Sequence, residues 1–139
     1  MTLEIYTDGS CLNNPGPGGW AYIYVQNNEI ISEAYGSHED TTNNKMELKA
    51  ILQALTNCPD TYTHKVLYTD SMYAVNGITK WLPQWKSRKF KNVKNDSLWK
   101  NIDSMLNSSL EVYHVKAHST NKWNNHVDSL AFKQAKLIL

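Results

Sequence analysis

Four acidic residues, Asp8, Glu47, Asp70 and Asp128, carry the strongest hint of chemistry in this chain. Asp8 follows Leu3-Glu4-Ile5-Tyr6-Thr7 and Asp70 follows Lys65-Val66-Leu67-Tyr68-Thr69, so each stands at the exit of a short run with strand character. Neighbouring strands lie about 4.8 Å apart, and carboxylates at their exits would share one cleft. Held ionised together, they repel one another and require compensating positive charge, which a divalent metal supplies most simply. A set of hard oxygen ligands without a His or Cys cluster favours Mg²⁺ or Mn²⁺ over zinc. Two such ions roughly 3.5 to 4 Å apart clamp the attacking and leaving oxygens of a phosphodiester displacement, which makes a nucleic-acid backbone the natural target.

The elements that must position these acids can be read from the pattern. After the first strand, Cys11 to Gly19 is punctuated by Pro15, Gly16, Pro17, Gly18 and Gly19 and is expected to be irregular. Trp20 to Val25 and Ile30 to Tyr35 are strand-like, with Asn27-Asn28 as the turn between them. Met46, Leu48, Ile51, Leu52 and Leu55 recur at helical spacing over Asn44 to Leu55, and Thr41 to Asn44 offers capping side chains. A strand ending at Asp70, a helix from Ser71 through Ile78, a bend near Pro83, a helix over Ser97 to Leu106, a strand over Leu110 to Val115 and a helix from His126 or Val127 to Leu139 complete the chain. The order βββαβααβα predicts an α/β fold with a mixed sheet flanked by helices, since only crossover connections join parallel strands.

At 139 residues the chain suits a single domain, expected over 1–139. No apolar run is long enough to cross a bilayer and no signal-peptide pattern opens the sequence, so a cytoplasmic, membrane-free protein is expected. Cys11 and Cys58 match no metal spacing and read as free thiols. The net charge of +1 argues against indiscriminate binding to nucleic acid, yet the charge is not evenly spread. Lys80, Lys86, Arg88, Lys89, Lys91 and Lys94 fall between positions 80 and 95 with no acid among them, interleaved with Trp85 and Phe90. A basic protrusion is expected there.

Taken together, Thr7-Asp8-Gly9-Ser10-Cys11, Asn14-Pro15-Gly16-Pro17-Gly18-Gly19-Trp20, Thr42-Asn43-Asn44-Lys45-Met46-Glu47-Leu48, Thr69-Asp70-Ser71, and His118 ten residues before Asp128 resemble type 1 ribonuclease H over essentially the whole chain. The resemblance implies a ribonuclease H-like fold with a five-stranded mixed sheet. It also implies endonucleolytic hydrolysis of the RNA strand of RNA/DNA hybrids, leaving 5′-phosphate and 3′-hydroxyl ends. Asp8, Glu47, Asp70 and Asp128 would hold two Mg²⁺ ions, with Mn²⁺ as a possible substitute, and His118 would assist proton transfer or product departure. Asn14, Asn43 and Asn44 match residues that touch the hybrid's minor groove, and Thr42 matches one that binds a DNA-strand phosphate. Trp85, Lys86, Arg88, Lys89 and Lys91 fall in the counterpart of the family's basic protrusion. No obligate protein partner is implied, and a monomer is expected.

Each of these residues also has a plainer role open to it. Glu47 could be the return partner of Asn44 in a capping box, Asp70 a helix N-cap, and Asp128 a first-turn acid facing the helix dipole. A non-catalytic hybrid-binding module, a DNA-cleaving nuclease of the same superfold, or a domain cut from a polymerase polyprotein remain as alternatives. The sequence departs from the family pattern at Met72, where a glutamine is common, at Ala117 and Ser119-Thr120, where glycines are common, and at Asn124-Asn125, where many relatives carry an acid.

Overall fold

The computed structural model describes residues 2–117 and 119–138. Its elements are β1 (Thr2–Cys11), β2 (Gly16–Gln26), β3 (Glu29–Thr41), α1 (Asn43–Thr56) and β4 (His64–Thr69), then a bent helical run made of α2 (Met72–Asn76), a π-helical turn (Gly77–Trp81) and α3 (Leu82–Ser87). α4 (Asp96–Met105), β5 (Leu110–His114) and α5 (Lys122–Leu137) follow. With the bent run counted once, the order is the expected βββαβααβα. Five strands form one sheet in the order β3-β2-β1-β4-β5; β1, β2 and β3 run antiparallel, whereas β4 is parallel to both β1 and β5.

Strand alternation divides β1 between two cores. Leu3 and Ile5 point to one face with Leu48, Ile51, Leu67, Trp99 and Ile102, while Tyr6 points to the other with Ile23, Val25 and Val127 of α5. Trp99 is fully buried, and removing an aromatic of that size from water is worth on the order of 4–6 kcal/mol as an upper figure. Asn27 and Asn28 take φ of 53° and 64°, the paired left-handed conformation that a tight hairpin between β2 and β3 needs. Thr42 caps α1 by accepting from the Lys45 N–H at 3.2 Å.

Two expectations need correction. The glycine-rich stretch is not irregular throughout, because β2 begins at Gly16 and Gly18 pairs with Cys11 of β1. A Cβ at Gly18 would lie 2.4 Å from the Thr41 methyl, and one at Gly19 would lie 2.2 Å from the Ala131 carbonyl oxygen. These glycines therefore serve close packing under β3 and α5. The last helix starts at Lys122, several residues before the expected His126 or Val127, because Asn121 accepts from the Trp123 and Asn124 N–H groups at 3.1 and 3.0 Å. The expected irregularity near Pro83 is present: the π-helical turn ends just before α3, whose first turn contains the proline.

Candidate active site

The parallel pairing of β1 with β4 ends at Thr7 beside Thr69, so Asp8 and Asp70 follow side by side. Only Asp70 stands at a strand's exit; Asp8, expected there, lies inside β1, which runs on to Cys11 with Asp8 paired to Ala21 of β2. α1 crosses β1 at Gly9, where a Cβ would sit 2.3 Å from the Glu47 amide nitrogen, and this close approach brings Glu47 down onto the strand. The Gly9 N–H then donates to both Asp8 Oδ1 and Glu47 Oε1, each at 2.9 Å. Oxygens of Asp8, Glu47 and Asp70 lie within 4.8 Å of one another. Asp8 and Glu47 are only 2% and 7% exposed, and their second oxygens, Oδ2 and Oε2, are buried without a hydrogen-bond partner.

Such an arrangement resists ionisation. Burial is the main cause of the raised pKa of Asp8, followed by the Glu47 charge, with Asp70 and Asp128 adding to it. Burial likewise pushes Glu47 up, against the bonds from Asp8 and the Gly9 amide, and the charges of Asp70 and Asp128 act in the same upward direction. Asp70 is raised by burial too, with its bond to Asp8 and the neighbouring Asn124 amide acting against it. Asp128, in the second turn of α5, is not among the three whose oxygens meet within 4.8 Å, yet its charge acts on both Glu47 and Asp70. An unpaired carboxylate this deep costs several kcal/mol unless it is protonated or matched by a cation.

The plainer roles are thereby filled by other residues. Thr42 caps α1, so Glu47 is free to face Gly9; Ser71 caps α2 through the Ala74 N–H at 3.1 Å, so Asp70 is free to face the cluster. Asn14 reaches the start of α1, where its Oδ1 accepts from the Asn43 N–H at 3.0 Å, and exposed Asn43 and Asn44 continue along the same helix end that carries Glu47. His118 falls outside the described residues.

In the basic segment, Arg88, Lys89 and Lys91 are exposed and enter no ion pair among the described residues, whereas the Lys86 ammonium lies 3.5 Å from Asp103. Trp85 is half-buried, its ring 5.1 Å from Trp99 and 5.7 Å from Trp81, and Phe90 packs against the same core. Left-handed backbone at Lys89, Phe90, Asn92 and Asn95 turns the segment back on itself.

Asn124 is a polar group that the sequence pattern passed over. It is 1% exposed, lies one helical turn before Asp128, and has neither Nδ2 nor Oδ1 matched by a partner, although its amide sits beside Asp70. The available signal was its i, i+4 spacing from Asp128 together with the Asn121 cap.

A model of the RNase H family matches residues 1–136. A Ribonuclease H of Wolbachia sp. subsp. Drosophila simulans is 44% identical over 137 residues, covering 94% of this chain and 93% of the relative. A Ribonuclease HI of Campylobacter jejuni is 43% identical over 134 residues, covering 96% and 90%. Among solved structures, a type 1 RNase H with the type 2 active-site motif superposes with a TM-score of 0.87 at 28% identity, covering 99% of this chain and 74% of that one. An RNase H1 solved in complex with RNA/DNA hybrid shares the fold, with a TM-score of 0.71 at 21% identity and 97% coverage of each chain.

Proposed function

The chain belongs to the ribonuclease H family and is a ribonuclease H enzyme, and from that premise we propose that it cuts the RNA strand of RNA/DNA hybrids with two divalent ions, leaving 5′-phosphate and 3′-hydroxyl ends. The observation that carries the proposal is the meeting of Asp8, Glu47 and Asp70 from three separate elements within 4.8 Å. The donor set fits a hard cation, because Asp8 Oδ2 and Glu47 Oε2 are buried carboxylate oxygens with no other partner. Asp8, Glu47, Asp70 and Asp128 would hold the ions, Mg²⁺ by preference with Mn²⁺ as a substitute. Bound there, divalent metal supplies an acidified water and charge compensation for the departing 3′ oxygen.

The chain's own residues supply position and selection. The Gly9 N–H fixes one oxygen each of Asp8 and Glu47 and leaves the other oxygen of each, Oδ2 and Oε2, available to hold an ion. Asn14, Asn43 and Asn44 offer amides that can both donate and accept in a wide minor groove, where the 2′-hydroxyl distinguishes RNA from DNA. Thr42 is assigned a DNA-strand phosphate by the family resemblance. Arg88, Lys89 and Lys91 would grip the backbone without reading sequence, with Lys86 and Trp85 contributing from the foot of the protrusion. His118 is assigned proton transfer or product departure by the family resemblance alone.

We take the working unit to be a monomer of one domain acting in the cytoplasm; no helix among the described residues is long and apolar enough to cross a membrane. A cleavage panel of hybrid, duplex DNA, duplex RNA and single strands, with Mg²⁺, Mn²⁺ or EDTA, tests the proposal. Hybrid alone should be cut, only with metal, and Asp70→Asn should be inactive. Cutting of duplex DNA, or full activity in Asp70→Asn, would overturn it.

A further inference from the structure

The acid cluster has a second basic neighbour besides the protrusion. From Val112 to Val127 the sequence carries Lys116, Lys122 and three histidines, and no acid. This stretch leaves the sheet at the end of β5 and runs into α5 up to the residue before Asp128, so its two ends border the cluster. The protrusion rises from the core that α1 and α4 share with Trp85 and Phe90, whereas this stretch leads into α5, which packs on the opposite face of the sheet. The two basic segments thus approach the acids from different sides.

Strand pairing fixes the end next to Asp70. His114 stands opposite Thr69, and the Val115 N–H donates to the Thr69 carbonyl oxygen at 2.9 Å, so the chain is tied to the residue immediately before Asp70. Alternation turns His114 away from the face on which Tyr113 stacks with Tyr68. Burial is the main reason that the Asp70 pKa is raised, and the His114 charge pulls the other way, so the imidazole lies within electrostatic reach of that carboxylate. Two other basic groups of the stretch are engaged: the Lys122 ammonium sits 4.4 Å from the centre of the Trp123 ring, and His126 faces Glu33 at 3.6 Å. The His114 and Lys116 side chains are exposed and enter no hydrogen bond or ion pair among the described residues.

We propose that His114 and Lys116 bind a phosphate of the RNA strand one or two nucleotides from the cut and so hold the scissile linkage over the acids. The inference rests on the reading of this chain as an enzyme that cuts the RNA strand of hybrids. Divalent ions can offset the acids at the scissile phosphate, but the phosphates beside it still approach a carboxylate cluster and need a cation of their own. An imidazole donates through a ring N–H in either protonation state, and an ammonium offers three donors without demanding one geometry. Neither contact reads sequence.

The test uses hybrids with a single cleavable linkage, the rest of the RNA strand being 2′-O-methylated. His114→Ala and Lys116→Ala should each raise KM about fivefold, the size of one lost exposed charge contact, with kcat unchanged, and His114→Lys should restore the wild-type KM. In an Asp8→Asn background without metal, fluorescence anisotropy should show the same loss of hybrid affinity. A neutral methylphosphonate one or two nucleotides from the cut on the RNA strand should cost the wild type as much, and the alanine variants should lose little more on that substrate. The inference is overturned if wild type cuts hybrid while the variants keep its KM and affinity, if kcat alone falls, which would mean that His114 acts through Asp70, or if the loss is matched by neutral linkages on the DNA strand instead. Failure of the wild type to cut hybrid at all would remove the proposed function, and this inference with it.

Discussion

Replacing Asp8 with Asn should make the metal-free protein more stable while abolishing hydrolysis. At 4.8 Å, two unit charges at an effective dielectric of 20 repel by about 3.5 kcal/mol. A carboxyl can escape that repulsion by holding a proton, and for an aspartate this costs about 4 kcal/mol at pH 7, which caps the penalty. Asn keeps the oxygen that accepts from the Gly9 N–H and removes the charge, so a gain of about 2 kcal/mol is expected. For a domain of this size that is a rise in Tm of about 8 °C.

The pH dependence has a definite sign. The folded pKa values of Asp8, Glu47 and Asp70 are raised, so the folded state binds more protons than the unfolded state above about pH 4. Stability of the metal-free protein should be greatest below that pH and fall as pH climbs toward the folded values. Asp8→Asn should flatten the fall, and Mg²⁺ should raise the Tm of the wild type at pH 8 much more than that of the variant. Differential scanning calorimetry with EDTA or Mg²⁺ across pH 4 to 8 measures this. A variant less stable than wild type at pH 8 in EDTA, or one stabilised equally by Mg²⁺, would refute the reasoning.

Gly19→Ala should lose about 3 kcal/mol in urea unfolding, because the added methyl meets the backbone of α5 at 2.2 Å and not a flexible side-chain end. Asn124→Leu should stabilise the metal-free protein by about 1 to 3 kcal/mol by removing two unmatched buried polar atoms, and should lower hybrid cleavage through a misplaced Asp70; calorimetry and single-turnover assays read the two effects separately. In an Asp8→Asn background that binds without cutting, Lys89→Ala should reduce the slope of log affinity against log salt by about 1, and Lys86→Ala should reduce it less because its ammonium is shared with Asp103. Equal slopes for all three proteins would remove the protrusion from substrate binding.

The acid cluster was legible because Asp8 and Asp70 each follow an apolar strand-like run, and a parallel pairing of those runs leaves them one place to meet. That β1 continues past Asp8 to Cys11 was not, because its extension pairs with the glycines of β2. Glu47 was ambiguous locally; only the approach of α1 to Gly9 separates its role from that of a capping residue. Glycine and proline at 15–19 mimic a loop in sequence, while their tertiary purpose, letting Thr41 and α5 come close, has no local signature. The start of α5 was hidden for a related reason, since Lys122 to Asn125 lacks apolar periodicity and its helix depends on a cap and on Asn124 being buried. The basic segment was visible as charge, but the inward packing of Trp85 and Phe90 emerges only once Trp99 is in place.

Tyr73 and Trp99 also bear on how this enzyme could vary. The Trp99 indole N–H and the Asn95 side-chain amide both donate to the Tyr73 hydroxyl, at 2.9 and 3.1 Å, and Trp85 rests on Trp99 from the opposite foot of the basic excursion. Both anchor points thus belong to one aromatic knot, and of the residues strung between Trp85 and Asn95 only Phe90 and Val93 pack on the interior. Doubling such a span changes closure entropy by only about 0.6 kcal/mol. Excursions of quite different reach and charge could therefore be exchanged at this place, tuning grip on the heteroduplex while the knot beneath stays as it is.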